Sequence, residues 1–293
     1  MLIIIIISAI AVCVLVYLAS GIRRAYEAEV QYGLKAYNDP NPGILTLEDI
    51  ERLPAPVQKY LAYAGVIGKP KVWNFKVVCE GRMKASSDKW MKITTVQYNF
   101  IKKPTRMYYL KADMSGIPCY GLHAYKHETG TMLVKILGLI PVVNGKGKEM
   151  NEGDCVTLFN DMCLVAPASL IDERITWETV DDLTAKATFT NGSIAVSALL
   201  YFNANGELVN FVSDDRYLSG TGATYQKLRW STPVKDYAGL VVGDVNRLPM
   251  QPDRNGVKLA SYAEAVWTMP DGTLLKYAEF NIKSVEYNGS ELK

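Results

Sequence analysis

The sequence is poor in the residue types that most enzymatic chemistry requires. Its 293 residues include two histidines, His123 and His127, and five cysteines. Any Ser-His or Cys-His catalytic arrangement must draw on that one histidine pair. Even with Cys119 and Glu128 nearby, the pair reads as two polar residues on one wet strand face rather than as a zinc site. Cys79, Cys119, Cys155 and Cys163 show no CxxC spacing and are too sparse for a disulfide scaffold, so they read as structural thiols. Charge of one sign is not in excess either: 32 Lys+Arg face 30 Asp+Glu, for a formal net charge of +2. Such a balance, without basic clusters, excludes nucleic acid as a partner. Gly145-Lys146-Gly147-Lys148 has neither the spacing nor the Ser/Thr of a phosphate-binding Walker loop and reads as a basic turn. No internal repeat or low-complexity tract is present, and no cofactor or metal is expected.

One further absence is local. Residues 1–21 (MLIIIIISAIAVCVLVYLASG) contain no Asp, Glu, Lys, Arg or His. As a helix they reach roughly 31 Å, close to a hydrocarbon core of about 30 Å. A single-pass transmembrane helix is expected, which makes the membrane a partner through residues 1–21. A cleaved signal is the alternative: Ala19-Ser20-Gly21 resembles a cleavage site, but the basic leader is missing and the apolar run is too long. Cys13 follows Val12 rather than the small residues a lipid-attachment site needs, and reads as part of the span. Arg23, Arg24 and Lys35 all follow the span, a small asymmetry that by itself favours a cytoplasmic domain.

Residues 22–45 read as a helical stalk and linker, ended by Asp39-Pro40-Asn41-Pro42-Gly43, where closely spaced prolines cannot continue a helix. Thr46 and Asp49 have the spacing of a capping box for a short helix, and Pro54 and Pro56 open a second that stops at Gly65. From Lys71 the period changes to two. In residues 72–84, Trp73, Phe75, Val77, Cys79, Gly81 and Met83 share one face and largely polar residues the other. Residues 92–101 repeat this with Thr94, Val96, Tyr98 and Phe100, and similar runs, one of them over 223–235, continue to residue 287. Asn203-Ala204-Asn205-Gly206 and Pro270-Asp271-Gly272 mark hairpin turns. About a dozen antiparallel strands without βαβ alternation predict a mainly β domain over residues 46–293, a large curved sheet or half-barrel, and exclude a doubly wound nucleotide fold. In residues 151–164, Cys155, Leu158, Phe159, Met162 and Cys163 form one apolar stripe, which predicts a helix on the concave face of that sheet.

Aromatics are the distinctive content, with five Trp, eighteen Tyr and seven Phe. A half-open sheet lined with Tyr and Trp makes an apolar cavity with polar tips, suited to an acyl chain or other amphiphile; the alternative is a plain aromatic core. The carboxylate pairs Asp181-Asp182 and Asp214-Asp215 read as turn or rim residues, because acid–base chemistry needs such groups to converge in space.

Several separated motifs carry a resemblance. They are Leu53-Pro54-Ala55-Pro56-Val57-Gln58-Lys59-Tyr60-Leu61 with Tyr63-Ala64-Gly65 and Gly68-Lys69-Pro70; Gly130-Thr131-Met132 with Leu137-Gly138-Leu139; and Ala166-Pro167-Ala168-Ser169-Leu170 leading to Trp177. Arg216-Tyr217 and the run from Trp267-Thr268-Met269-Pro270-Asp271-Gly272 to Glu286-Tyr287-Asn288 complete the set. From about residue 50 to the end, the chain resembles a bacterial family of unknown function whose members often begin with a membrane segment. It departs from that family on the central helix, where Thr157-Leu158-Phe159 replaces an Arg-Tyr-Leu run while Asp161 keeps an acidic residue. The resemblance implies an architecture similar to the LolA/LolB-type lipoprotein carriers, an incomplete antiparallel barrel with helices closing its mouth. By that analogy the domain is placed on the extracytoplasmic side of the cell membrane.

These readings converge on binding rather than catalysis: a membrane-tethered domain that holds a lipid or other hydrophobic ligand in its concave face. Arg216 beside Tyr217 is placed to offer bidentate hydrogen bonds to a phosphate or carboxylate head group, with Asp161, Trp177, Trp230 and Trp267 completing the site. An ion pair of Arg216 with Asp161, Asp214 or Asp215 is the structural alternative. Two other functions stay open: a hydrolase using Asp161, Asp182 or His127, and a protein-interaction domain of an envelope assembly, marked by an exposed apolar patch.

Overall fold

The uncharged amino-terminal run folds as α1 (Leu2–Ala19) in this computed structural model, which describes residues 2–84, 89–219, 224–237, 242–244 and 256–292. Met1 of the expected span and Ala223 of an expected strand lie outside the described residues. From Ile4 to Leu18 the large apolar side chains of α1 are exposed, Ile4 at 69% and Tyr17 at 63%. No single helix among the described residues is long and apolar enough to cross a membrane; α1 and α2 (Gly21–Ala36), a pair bent by 50°, have that length and composition only when taken together.

The segment expected as a stalk lies on the domain. In α2, Ile22, Tyr26, Val30 and Leu34 recur every four residues, which places them on one helical face, and all four are buried. Tyr26, Val30 and Leu34 cluster with Trp73, Tyr98, Phe100 and Met107 on the convex side of the sheet. Gly33 is needed there, because a Cβ would stand 2.5 Å from the Phe100 ring. The charges on the other faces of the helix, from Arg23 to Lys35, hide this stripe in a linear reading. The capping box of Thr46 and Asp49 starts α3 (Leu47–Ile50), and α4 (Ala55–Ala64) stops at Gly65 with φ +70°.

The first arm of the sheet comprises β1 (Asn74–Lys84), β2 (Trp90–Phe100), β3 (Thr105–Met114), β4 (Ile117–Lys126), β5 (Thr129–Ile136) and β6 (Ile140–Lys146). Helix α5 (Lys148–Val165) and a 3-10 turn (Pro167–Ile171) follow. The second arm comprises β7 (Ile175–Asp181), β8 (Thr184–Asn191), β9 (Ile194–Phe202), β10 (Leu208–Ser219), β11 (Tyr225–Lys235), β12 (Val242–Asp244), β13 (Tyr262–Thr268) and β14 (Leu274–Tyr287). Thirteen strands form one antiparallel path, β6-β5-β4-β3-β2-β1-β14-β13-β11-β10-β9-β8-β7, and β12 pairs in parallel with β14 beside it. β6 is an exposed edge strand with no counterpart among the strands expected from the sequence, and its last residues, Gly145 and Lys146, belong to the expected basic turn.

The sheet curls into a half-barrel. Strands distant in that order meet through their turns: Glu128 accepts from the Ser193 backbone N–H at 2.8 Å, and Tyr125 Oη accepts from Asn191 Nδ2 at 2.8 Å. Helix α5 lies inside the curl, against β4, β5 and β6 of one arm and β9, β10 and β11 of the other. It is buried on nearly all sides from Gly153 to Val165, including Asp154, Thr157 and Asn160, where a single apolar stripe was expected. Being enclosed by both arms, rather than resting on one sheet, is what buries its polar residues. The same enclosure buries both faces of β2: Tyr98 and Phe100 lie under α2, while Ile93, Thr95, Gln97 and Asn99 face inward.

Candidate functional site

Arg216 sits on β10 just past an irregularity that falls between Ser213 and Arg216. It is opposite Leu228 of β11, and one step along the ladder Trp230 pairs with Trp267 of β13. The guanidinium carbon lies 4.4 Å from the Trp230 ring centroid and 5.7 Å from that of Trp267. Trp267 stacks on Tyr277 with centroids 6.0 Å apart, and Trp230 Nε1 donates to Tyr277 Oη at 3.1 Å. Both tryptophans are buried, so the cation rests on a fixed aromatic floor.

The carboxylates that were candidates to neutralise Arg216 are engaged elsewhere. Asp214 accepts from Arg229 at 2.9 and 3.0 Å, which holds its carboxyl below the usual range. Asp215 pairs with Lys227 at 2.9 Å and accepts from the Ser197 N–H at 2.8 Å. Asp161 belongs to Arg106. Arg216 makes no hydrogen bond or ion pair with any described residue, and its Nε is buried without a partner. An uncompensated cation in such a place is costly unless an anion joins it.

Half-buried apolar side chains surround this cation. Leu218, Leu228, Leu275 and Tyr277 pack on the main core beside it, and Met83 and Phe280 bridge that core to a second cluster of Ile93, Leu110, Ala112, Cys119 and Val134. The apolar surface is therefore continuous across the concave face from one arm to the other. Tyr217, the next residue on β10, donates to Glu152 of α5 at 2.5 Å, and that bond with burial pushes its hydroxyl up to about 12.

On the opposite flank of α5 lies a polar band absent from the sequence reading. Arg106 Nε donates to Asp161 Oδ2 at 2.7 Å, and the same oxygen accepts from Gln97 at 2.7 Å and Asn99 at 3.2 Å. Arg106 also donates to Gln97 Oε1 at 3.1 Å and covers the Tyr108 ring at 4.6 Å. Beside it His123 Nε2 meets Asp154 Oδ1 at 2.5 Å, while Asp154 Oδ2 has no partner. Burial pushes the nearby Cys79 thiol up to about 12.

The structure thus brings Arg216, Trp230 and Trp267 together, with Tyr217 adjoining. It places Asp161 with Arg106, and Trp177 on β7 at the sheet edge, its Nε1 buried without a partner. Asp182 occupies the β7–β8 turn and His127 the β4–β5 turn at φ +51°; neither hydrogen-bonds to Asp161. His127 thus leaves β4, and His123 points inward to α5 instead of sharing a wet face with it. Apart from these, a depression of about 640 Å³ lies on the convex side, where Arg229, Ser231, Glu264, Val266 and Lys276 line it.

Residues 43–280 match the model of a family of unknown function, DUF6544. No curated protein matches the chain. Among solved structures it is similar to a LolA superfamily protein from Nitrosomonas europaea, with 10% identity over 79% of this chain and 93% of that one and a TM-score of 0.37. It is also similar to a domain described as outer membrane lipoprotein-sorting, from Vibrio parahaemolyticus, with 9% identity over 79% of this chain and 90% of that one and a TM-score of 0.37. By the family match, the chain belongs to the DUF6544 family of unknown function.

Proposed function

We propose that this member of the DUF6544 family is a membrane-tethered, non-enzymatic binding protein that takes up an amphiphile with an anionic head group. The apolar part lies along the concave face past Leu228, Leu275 and Phe280, and the head group pairs with Arg216. The observation that supports this reading is the half-buried guanidinium of Arg216, held on Trp230 and Trp267 while Asp161, Asp214 and Asp215 each serve another cation. A phosphate or carboxylate restores the missing partner through two parallel N–H···O bonds. The tether is α1, whose 18 residues span about 27 Å and whose large apolar side chains from Ile4 to Leu18 are exposed. Hydrocarbon removes that surface from water at about 25 cal/mol per Å².

The test is a titration of the delipidated full chain, held in nanodiscs, with a fluorescent fatty acid and with the matching uncharged fatty alcohol. Arg216→Ala is expected to weaken the acid about tenfold, or about 1.4 kcal/mol, and to leave the alcohol nearly unchanged. Arg216→Lys falls between, because an ammonium neither stacks nor forks. Correctly folded protein that takes up neither ligand sinks the reading.

A further inference from the structure

Among the described residues, seven of the thirteen large apolar side chains exposed outside α1 gather at one end of the first arm. Met114 and Ile117 close the β3–β4 turn at 37% and 47% exposure. Leu137, Leu139, Ile140, Val142 and Val143 of the β5–β6 hairpin are exposed between 36% and 59%. The run 136–143, Ile-Leu-Gly-Leu-Ile-Pro-Val-Val, contains no charge. The two turns form one surface, since the Leu137 N–H donates to the Pro118 carbonyl at 2.8 Å. Soluble domains rarely leave such a patch bare. Leu137 also holds φ +54°, a left-handed conformation that disfavours a bulky side chain.

The position of this patch identifies what covers it. Gly138, at the tip of the β5–β6 turn, packs so closely on the end of α1 that a Cβ would overlap the Ala19 carbonyl. The exposed apolar shell of α1 runs to Leu18, one residue before that contact. At the same level Arg24 lies over the Tyr17 ring at 3.6 Å, a cation and an aromatic of the kind that gather at membrane interfaces. Helix α2, packed on the convex face, fixes the sheet relative to the end of α1.

We propose that the β3–β4 and β5–β6 turns dip into the interfacial layer of the bilayer that holds α1, giving the domain a second membrane contact. This rests on the tether reading of α1. The domain then sits on the membrane by one end of the half-barrel instead of hanging from a stalk.

The experiment uses the full chain in phosphatidylcholine–phosphatidylglycerol vesicles containing nitroxide-labelled lipids. A bimane label is placed either on the native Cys13 or, in a Cys13→Ala background, on Ile140→Cys, Val142→Cys or, as control, Asn205→Cys in the β9–β10 turn. The other four cysteines are buried and stay unlabelled in folded protein. A label at 140 or 142 is expected to shift to shorter emission wavelength and lose most of its intensity to nitroxides near the head groups. A label at 13 responds to nitroxides deep in the chain region, and one at 205 responds to neither. Quenching at 13 without quenching at 140 and 142 overturns the second contact and leaves the tether standing. Absence of quenching at 13 overturns both. Two hairpin positions are used so that misfolding of one variant does not decide the outcome.

Discussion

Two arginines flank α5 inside the half-barrel, and they are treated in opposite ways. Arg106, on the first arm, is buried and paired: Asp161 accepts from its Nε and Gln97 from its Nη2, and Asn99 joins through the shared carboxylate oxygen. Arg216, on the second arm, has two tryptophan faces beneath it and no acid paired with it among the described residues. The first arrangement is complete without a ligand and joins α5 to β2 and β3. The second is incomplete, and completing it is what the proposed head group does. Burial of a cation therefore marks a ligand site only when its neutralisation is missing.

The largest expected effect belongs to Arg106. Arg106→Leu strands the Asp161 carboxylate in the interior and is expected to cost about 3–5 kcal/mol of stability, read by denaturant unfolding. Adding Asp161→Leu removes the stranded charge and should recover much of that loss, because paired apolar replacements of buried ion pairs are often near neutral. A double variant as unstable as the single one would show that Gln97 and Asn99, not the ion pair, hold α5 in place.

Arg216 should behave differently in the same measurement. Arg216→Ala removes a cation over tryptophan, an interaction of about 0.5–2 kcal/mol, and also removes a buried Nε with no partner, so the net loss of stability is expected to stay near or below about 1 kcal/mol. Its main effect is on anion binding. A loss equal to that of Arg106→Leu would erase the contrast and make Arg216 a structural residue.

The sequence exposes these two sites unequally, for a physical reason. Arg216, Trp230 and Trp267 could be named as candidates because each falls in a strand-like run, and because an arginine beside Tyr217 at a strand end suits an anionic head group. The strand series, the capping box of Thr46 and Asp49 and the stop at Gly65 are local, and local signals survive in a linear reading. The Arg106 band is not local. Gln97, Asn99 and Arg106 look like the wet face of a half-buried sheet, and they become interior only because the sheet curls until α5 touches both arms. His123 turns inward to Asp154 for the same reason. The stripe in α2 was present at four-residue spacing but obscured by its neighbouring charges.

The smallest effect comes from Gly153, an α5 residue beside Arg216. A Cβ there would have one neighbour within 4 Å outside the helix backbone, Arg216 Nε at 3.9 Å, an ordinary contact distance. Its helical position gives no conformational reason for glycine, since it is not among the residues of positive φ. Gly153→Ala should therefore stabilise the chain by about 0.5–1 kcal/mol through helix propensity. The gain requires the space beside Arg216 to be as open as the absence of a partner suggests. If the variant instead loses stability, the guanidinium is wedged against α5 as firmly as Arg106 is, and room for a head group at that point disappears.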